Sequence, residues 1–82
     1  MTARLRTLSG RDVVRALTRV GFAVARTRGS HATLVRTTAG GNRQTLTVPL
    51  HKELAPGTLR AIYRQALKFV HASELRPHFF HD

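Results

Sequence analysis

Apolar residues recur at intervals of three and four near the start of the chain. They are Val13, Ala16, Leu17 and Val20, and arginine and threonine side chains occupy the opposite face. This spacing predicts an amphipathic helix over residues 10–20. Ser9 is a favourable N-cap, Asp12 stands three residues later as in a capping box, and Gly21 is suited to end the helix. Residues 1–8 lack this period and are predicted to be a loose lead.

Three β-like runs follow the first helix. The first alternates Phe22, Val24 and Arg26 with Ala23, Ala25 and Thr27, and the others cover residues 31–37 and 44–48. In the second run, Ala32 and Leu34 share one face, and His31, Thr33 and Val35 share the other. A tight turn at Arg28-Gly29 joins the first two runs, and the flexible segment 38–43 joins the last two. Pro49 cannot donate to a strand ladder and is predicted to stop the third run.

A second helix is predicted to begin at Pro56, because proline suits the first helical turn. Its apolar stripe consists of Leu59, Ile62, Tyr63 and Ala66. Short connections favour antiparallel strands, and both helices must bury their stripes against one sheet face. The sequence therefore predicts an α+β fold in the order α-β-β-β-α, with a three-stranded antiparallel sheet and two helices on one face. The other face, which carries His31 and Thr33, is free for a ligand or partner.

The chain is short enough to form a single domain, which is predicted to cover residues 1–71. Residues 72–82 are predicted to form a C-terminal tail beyond that domain. Two adjacent phenylalanines, Phe79 and Phe80, stand in this otherwise polar tail. Large apolar side chains seldom stay in water as a pair, so we expect the tail to dock on the domain or on another subunit.

The charge of the chain restricts its partners. The 82 residues include fourteen lysines and arginines but only four aspartates and glutamates, so the formal net charge is +10. Such a field attracts nucleic acid, an anionic membrane or an acidic protein. No apolar run approaches the roughly 20 residues that span a bilayer, and the start lacks the apolar stretch of a secretory signal. With no cysteine in the chain, these features favour a cytoplasmic protein without membrane attachment.

The Gly29-Ser30-His31 triplet places an imidazole at the start of the second strand. Imidazole titrates near neutral pH, and RNA is cut by its own 2′-hydroxyl once a base removes that proton. His31 can serve as this acid or base, and a guanidinium can stabilise the negative charge that grows on the phosphate. The candidate cations are Arg26, Arg28 and Arg36. Alternatively, His31 and Ser30 only hydrogen-bond the turn, and Gly29 supplies its positive φ.

Further basic residues suit a polyanion. His51 is a candidate second proton carrier or an exposed loop residue, and Lys52 follows it as a candidate RNA contact. Arg60, Arg64 and Lys68 recur at intervals of four along the second helix. Such a ridge can track phosphates, although a solvated helix face can carry the same residues.

Other enzyme classes lack their signatures in this sequence. Asp12 and Glu53 have no evident acidic partner for two-metal or paired-carboxylate chemistry. His78 and His81 have a spacing that suits metal ligands, but there is no thiol or adjacent ligand cluster. We therefore predict no cofactor and no metal, and histidine chemistry in preference to that of a magnesium nuclease.

An ordered set of motifs resembles the HicA toxin family. It comprises Gly21-Phe22, Arg28-Gly29-Ser30-His31, Thr47-Val48-Pro49-Leu50-His51 and Gly57-Thr58-Leu59-Arg60-Ala61-Ile62, and the similarity covers about residues 8–67. The resemblance implies a double-stranded-RNA-binding-like fold and a basic mRNA interferase that needs no known metal. It also implies a functional histidine at His31 and a HicB antitoxin that covers this region. The chain departs from many members at Ala32, where they carry a second histidine.

The sequence thus leads to one preferred hypothesis and two alternatives. The preferred one is a toxin that cleaves mRNA with His31, without metal, and is inhibited by a HicB-like antitoxin. The alternatives are a non-catalytic basic RNA-binding module and a protein-interaction domain for an acidic partner. The RNA sequence preference and the oligomeric state of the free protein stay open.

Overall fold

Two sheets and three helices make up the computed structural model, which describes residues 3–81. The helices are α1 (Gly10–Arg19), α2 (Pro56–Ala66) and α3 (Ala72–Phe79). The strands are β1 (Arg4–Leu5), β2 (Ala23–Arg28), β3 (His31–Thr37), β4 (Arg43–Pro49) and β5 (Phe80–His81). The main sheet is antiparallel in the order β2-β3-β4, and β1 pairs with β5. The predicted α+β fold is confirmed, and the structure adds α3 and the small second sheet.

The core lies between one face of the main sheet and the helices. Buried sheet residues on this side are Ala32, Leu34, Leu46 and Val48, and the helices contribute Val13, Leu17, Leu59 and Ile62. Successive strand residues point to opposite faces, so burial of every second residue marks the side that the helices cover. The helices therefore leave the other face of the sheet to solvent, as the sequence predicts.

The first helix has the predicted capping box. Ser9 Oγ accepts from the Asp12 backbone N–H at 3.0 Å, and the Ser9 backbone N–H donates to Asp12 Oδ2 at 2.9 Å. The Ser9 N–H is the main cause that holds the pKa of the Asp12 carboxyl below its ordinary value. Gly21, with φ of +102°, follows the helix as predicted. A sequence signal of only four residues thus fixes where α1 begins.

Pairing of β2 with β3 includes an extra residue that the alternation does not predict. Val24 lies opposite Leu34, whereas Arg26 lies opposite Thr33, so Ala25 forms a bulge in β2. The simple alternation placed Arg26 on the same face as Val24, and this is wrong. Because the bulge shifts the phase by one residue, Arg26 lies on the open face of the sheet.

The third strand also extends one residue beyond its predicted end. Pro49 is the last residue of β4 and lies opposite His31. Proline is accepted here because β4 is an edge strand, where a missing donor need not interrupt a ladder.

The terminal segments clasp each other. Residues 1–8 were predicted to be loose, and residues 1 and 2 lie outside the described range. Arg4, however, pairs with His81 and Leu5 with Phe80. Residues 72–79 form α3, whose Leu75 and Phe79 are fully buried in the main core. The division of the chain at residue 71 stays a prediction, but the phenylalanine pair does dock on the domain.

Gly10 allows α1 to begin against the end of β4. Its N–H donates to the His51 carbonyl at 2.9 Å. A Cβ at this position would overlap the Pro49 carbonyl oxygen and stand 2.7 Å from Leu50 Cα. Backbone atoms cannot rotate away as a side chain would, so the contact excludes every residue larger than glycine without a shift of the strand end.

We expect Gly10→Ala to destabilise the fold by about 1–3 kcal/mol, the usual cost of overpacking. The measurement is urea denaturation followed by circular dichroism. Gly57→Ala is the matched control, because Gly57 also lies in the first turn of a helix but a Cβ there meets nothing within 4 Å. The control is expected to be neutral or slightly stabilising. Equal stability of the two variants would contradict the close approach.

Candidate nucleic-acid interface

The helix-free face of the main sheet gathers most of the polar strand residues. We call this surface the His31 face, and it comprises Arg26, Arg28, His31, Thr33, Val35, Arg43, Thr45 and Thr47. All of these residues are exposed or half-buried. From His31 to Thr37 the face extends for about 20 Å at the usual rise per residue. It is therefore long enough to contact several nucleotides of an extended strand.

A two-residue turn places His31 at one end of this face. Gly29 has φ of +57° and Ser30 does not have a positive φ, which is the pattern of a type II′ hairpin turn. The Ser30 carbonyl accepts from the Leu50 N–H at 2.6 Å, which ties the turn to the end of β4. A Cβ on Gly29 would meet nothing within 4 Å, so the turn demands glycine for its conformation and not for space.

His31 lies between an arginine and a proline in the register of the sheet. Arg28 lies directly opposite on β2 and Pro49 directly opposite on β4. Side chains opposite each other in antiparallel strands have Cβ atoms about 5 Å apart, so the Arg28 guanidinium can reach a group bound at the imidazole. Arg26 lies two residues further along the same face. The structure thus brings together His31, Arg28 and Arg26.

The imidazole of His31 is exposed and has no hydrogen-bond partner among residues 3–81. The structural alternative for this residue requires a bond to the turn or to a backbone carbonyl, and the described residues contain none. An exposed imidazole without a partner is available to a bound molecule.

Arg36 does not join the other two arginines. Arg36 follows Ala32 and Leu34 at intervals of two along β3, so its side chain points to the helix side of the sheet as theirs do. Its guanidinium donates to the Phe69 carbonyl at 2.7 Å and to Gln44 Oε1 at 3.4 Å. This half-buried side chain links the sheet to the segment that follows α2. Its position suits a structural contact, and it does not lie beside His31.

His51 and Lys52 lie just beyond β4 and are exposed. Together with Ser9, Arg11 and Leu50 they line a depression of about 450 Å³ at the start of α1. No hydrogen bond joins His51 to His31 among residues 3–81. The structure therefore places His51 near the start of α1 and does not show an acid–base pair.

The basic residues Arg60, Arg64 and Lys68 occupy a different side of the molecule, and the prediction that Lys68 lies on the second helix is wrong. Arg60 and Arg64 are exposed on α2, and Lys68 is exposed just after its end. The opposite face of α2 packs on the sheet side that is remote from His31, through Leu59 and Ile62. This α2 ridge and the His31 face are therefore two separate cationic surfaces.

Three residues of β4 on the His31 face, Arg43, Thr45 and Thr47, were missed at the sequence level. Thr47 lies directly opposite Thr33, and Arg43 lies opposite Thr37 at the far end of the face. The signal was present, because Arg43, Thr45 and Thr47 are out of phase with the buried Leu46 and Val48. That alternation extends the candidate interface along the whole of β4.

Residues 3–81 contain neither a cluster of metal ligands nor a helix that could span a membrane. Residues 3–81 hold no group of three or more histidine, aspartate or glutamate side chains placed to bind a metal ion. In the same range, no helix has the length and apolar character that crossing a bilayer requires.

Comparison with known families finds a match over most of the chain. Residues 10–67 are similar to the model of a family described as the HicA toxin of bacterial toxin–antitoxin systems. The matched range begins at the first residue of α1 and ends just after α2, so it contains the whole main sheet and the Gly29-Ser30-His31 turn. No curated protein matches the chain.

Proposed function

Because this chain belongs to the HicA toxin family, it is the toxin of a toxin–antitoxin system, and we propose that it is a metal-independent endoribonuclease. It cuts mRNA in the cytoplasm with His31 as the proton carrier, and a HicB-like antitoxin silences it by covering the His31 face. The observation that carries the proposal is the exposed, unpartnered imidazole beside Arg28 on the sheet face that no helix covers.

The cleavage step uses the 2′-hydroxyl of the RNA itself. His31 removes the 2′-hydroxyl proton, and the 2′-oxygen forms a bond to the adjacent phosphorus. The bond from phosphorus to the 5′-oxygen then breaks, and that oxygen takes a proton from solvent. The products are a 2′,3′-cyclic phosphate and a free 5′-hydroxyl. Proton transfer of this kind contributes about 10²- to 10⁴-fold to a rate.

Arginine supplies the electrostatic part of this mechanism. Negative charge grows on the phosphate oxygens as the 2′-oxygen attacks, and the Arg28 guanidinium can donate two parallel hydrogen bonds to them. Arg26 and Arg43 extend the positive potential along the face and hold the neighbouring phosphates. Because this binding is electrostatic, its affinity falls as salt rises.

The departure from the family at Ala32 does not weaken the proposal. Ala32 is only 2 % exposed and faces the helices. A histidine at this position would point to the opposite side of β3 from His31. The His31 face therefore retains its proton carrier whether position 32 holds alanine or histidine.

The experiment is incubation of the purified protein with end-labelled RNA in EDTA. We expect cleavage without added metal and products that end in a cyclic phosphate, because the attacking group is the 2′-hydroxyl. The matched substrate is the same RNA with every 2′-oxygen methylated, which is expected to bind but stay intact. Intact RNA with a mobility shift would indicate the binding module, and failure to bind RNA would favour the acidic-partner alternative.

A further inference from the structure

The free edge of β2 and the groove beside it on the helix side form a second surface, whereas Arg26 and Arg28 of the same strand belong to the His31 face. All six residues of β2 are exposed, and only one of its edges is paired. We propose that an extended acidic segment of a partner protein lies along β2 and inserts apolar side chains into the groove between β2 and α1. This inference concerns the helix side of the sheet and does not depend on RNA cleavage.

The groove has an apolar floor. Val14, Val24, Ala32 and Leu50 line it together with Thr27, and its volume is about 410 Å³. Val24 points to the helix side of the sheet, yet it stays 45 % exposed. Among residues 3–81, Val24 and Leu67 are the only large apolar side chains that are exposed and not half-buried. The first helix thus leaves part of the apolar face of β2 open.

Charge determines which occupant suits this groove. Arg11 and Arg15 line it from the α1 side, and Arg15 bonds to Asp12 while Arg11 has no partner among residues 3–81. A second copy of this chain would bring another net charge of +10 and further arginines to the same edge. Like charges brought close together repel, so a segment that carries carboxylates suits the groove better than a second copy does.

The chemistry of the floor favours a peptide over a nucleic acid. Single-stranded RNA binds largely through stacking of its bases on aromatic rings, and none of residues 3–81 that line the groove is aromatic. Aliphatic side chains instead suit valine, isoleucine or leucine of a partner. The unpaired edge of β2 offers main-chain donors and acceptors, which an extended peptide can pair with by strand addition.

The experiment uses a synthetic peptide matched in length to β2, in which every second residue is alternately valine or glutamate and serine fills the positions between them. In this glutamate–valine peptide both kinds of side chain face the groove, because every second residue of a strand lies on one face. Binding is followed by fluorescence anisotropy and by backbone amide chemical shifts. We expect shifts at Val24, Thr27 and Arg11, and affinity about tenfold higher than for a glutamate–serine peptide of equal charge, because one valine is buried. Val24→Ser should weaken binding by a similar factor.

Leu67→Ser is the matched control, because Leu67 is 37 % exposed and lies outside the groove. It should leave peptide binding unchanged. Any of three results would overturn the proposal. These are equal affinity for the two peptides, no binding of the glutamate–valine peptide, and chemical-shift changes confined to the His31 face. Shifts of the groove amides with oligouridylate but not with the peptide would also overturn it, in favour of a nucleic-acid surface. His31→Ala, which tests cleavage, should leave peptide binding intact.

Discussion

His31→Ala is expected to lower the rate of RNA cleavage by about 10²- to 10⁴-fold, the usual contribution of a positioned acid or base. The fold should tolerate the change, because the imidazole is exposed and bonds to no residue in the range 3–81. Surface substitutions of this type alter stability by about 0.5 kcal/mol or less. RNA affinity should change little, since Arg26 and Arg28 remain on the same face.

The measurement is single-turnover cleavage of labelled RNA, together with growth arrest at equal expression. His71→Ala is the matched control: His71 is also exposed, but it precedes α3 on the helix side and should retain full activity. His51→Ala tests for a second proton carrier. A His31→Ala variant that cleaves RNA and arrests growth like the parent chain would exclude His31 as the catalyst.

Phe79→Ala is expected to destabilise the protein by about 3–5 kcal/mol, the usual loss for a buried phenylalanine. The Phe79 side chain is completely buried, and its ring centroid lies 5.3 Å from that of Tyr63. Domains have about 0.05–0.15 kcal/mol of stability per residue, so a chain of this size can lose a third or more of its total. A residue outside the matched family range would thus carry a large part of the stability.

Urea denaturation measures this loss as a shift of the midpoint. Phe80→Ala is the control, because Phe80 is only half-buried and packs on Tyr63 and Arg76 at the surface. Its cost should be clearly smaller. If Phe79→Ala costs less than about 1 kcal/mol, then residues 72–81 do not share the core in solution, and the boundary at residue 71 gains support.

Local signals in the sequence were enough to predict the main fold. The 3.6-residue period and the Ser9 capping box locate α1, and two-residue alternation together with Gly29 locates the hairpin of β2 and β3. Neither the bulge at Ala25 nor the β1–β5 pairing has such a signal. The bulge depends on how β2 meets β3, and two-residue strands are too short to show a period.

The candidate site was predictable to a similar extent. Alternation of side chains along β3 places His31 on the open face of the sheet and Arg36 on the opposite face. The sequence alone therefore already separates Arg36 from Arg28. The separation of Arg60 from His31 follows from the predicted fold, in which both helices lie on the sheet face opposite His31. The sequence did not show that the second helix ends at Ala66, before Lys68, because the end of α2 has no glycine or proline signal.

The pairing of β1 with β5 affects the order in which a newly made chain folds. Leu5 must find Phe80, and contacts between residues so far apart in sequence form late because closing a long loop costs entropy. During synthesis, Arg4 and Leu5 emerge from the ribosome long before their partners Phe80 and His81. The hairpins of the main sheet can assemble before residues 72–81 have been made, but the last layer of the interior can be added only after those residues have left the ribosome.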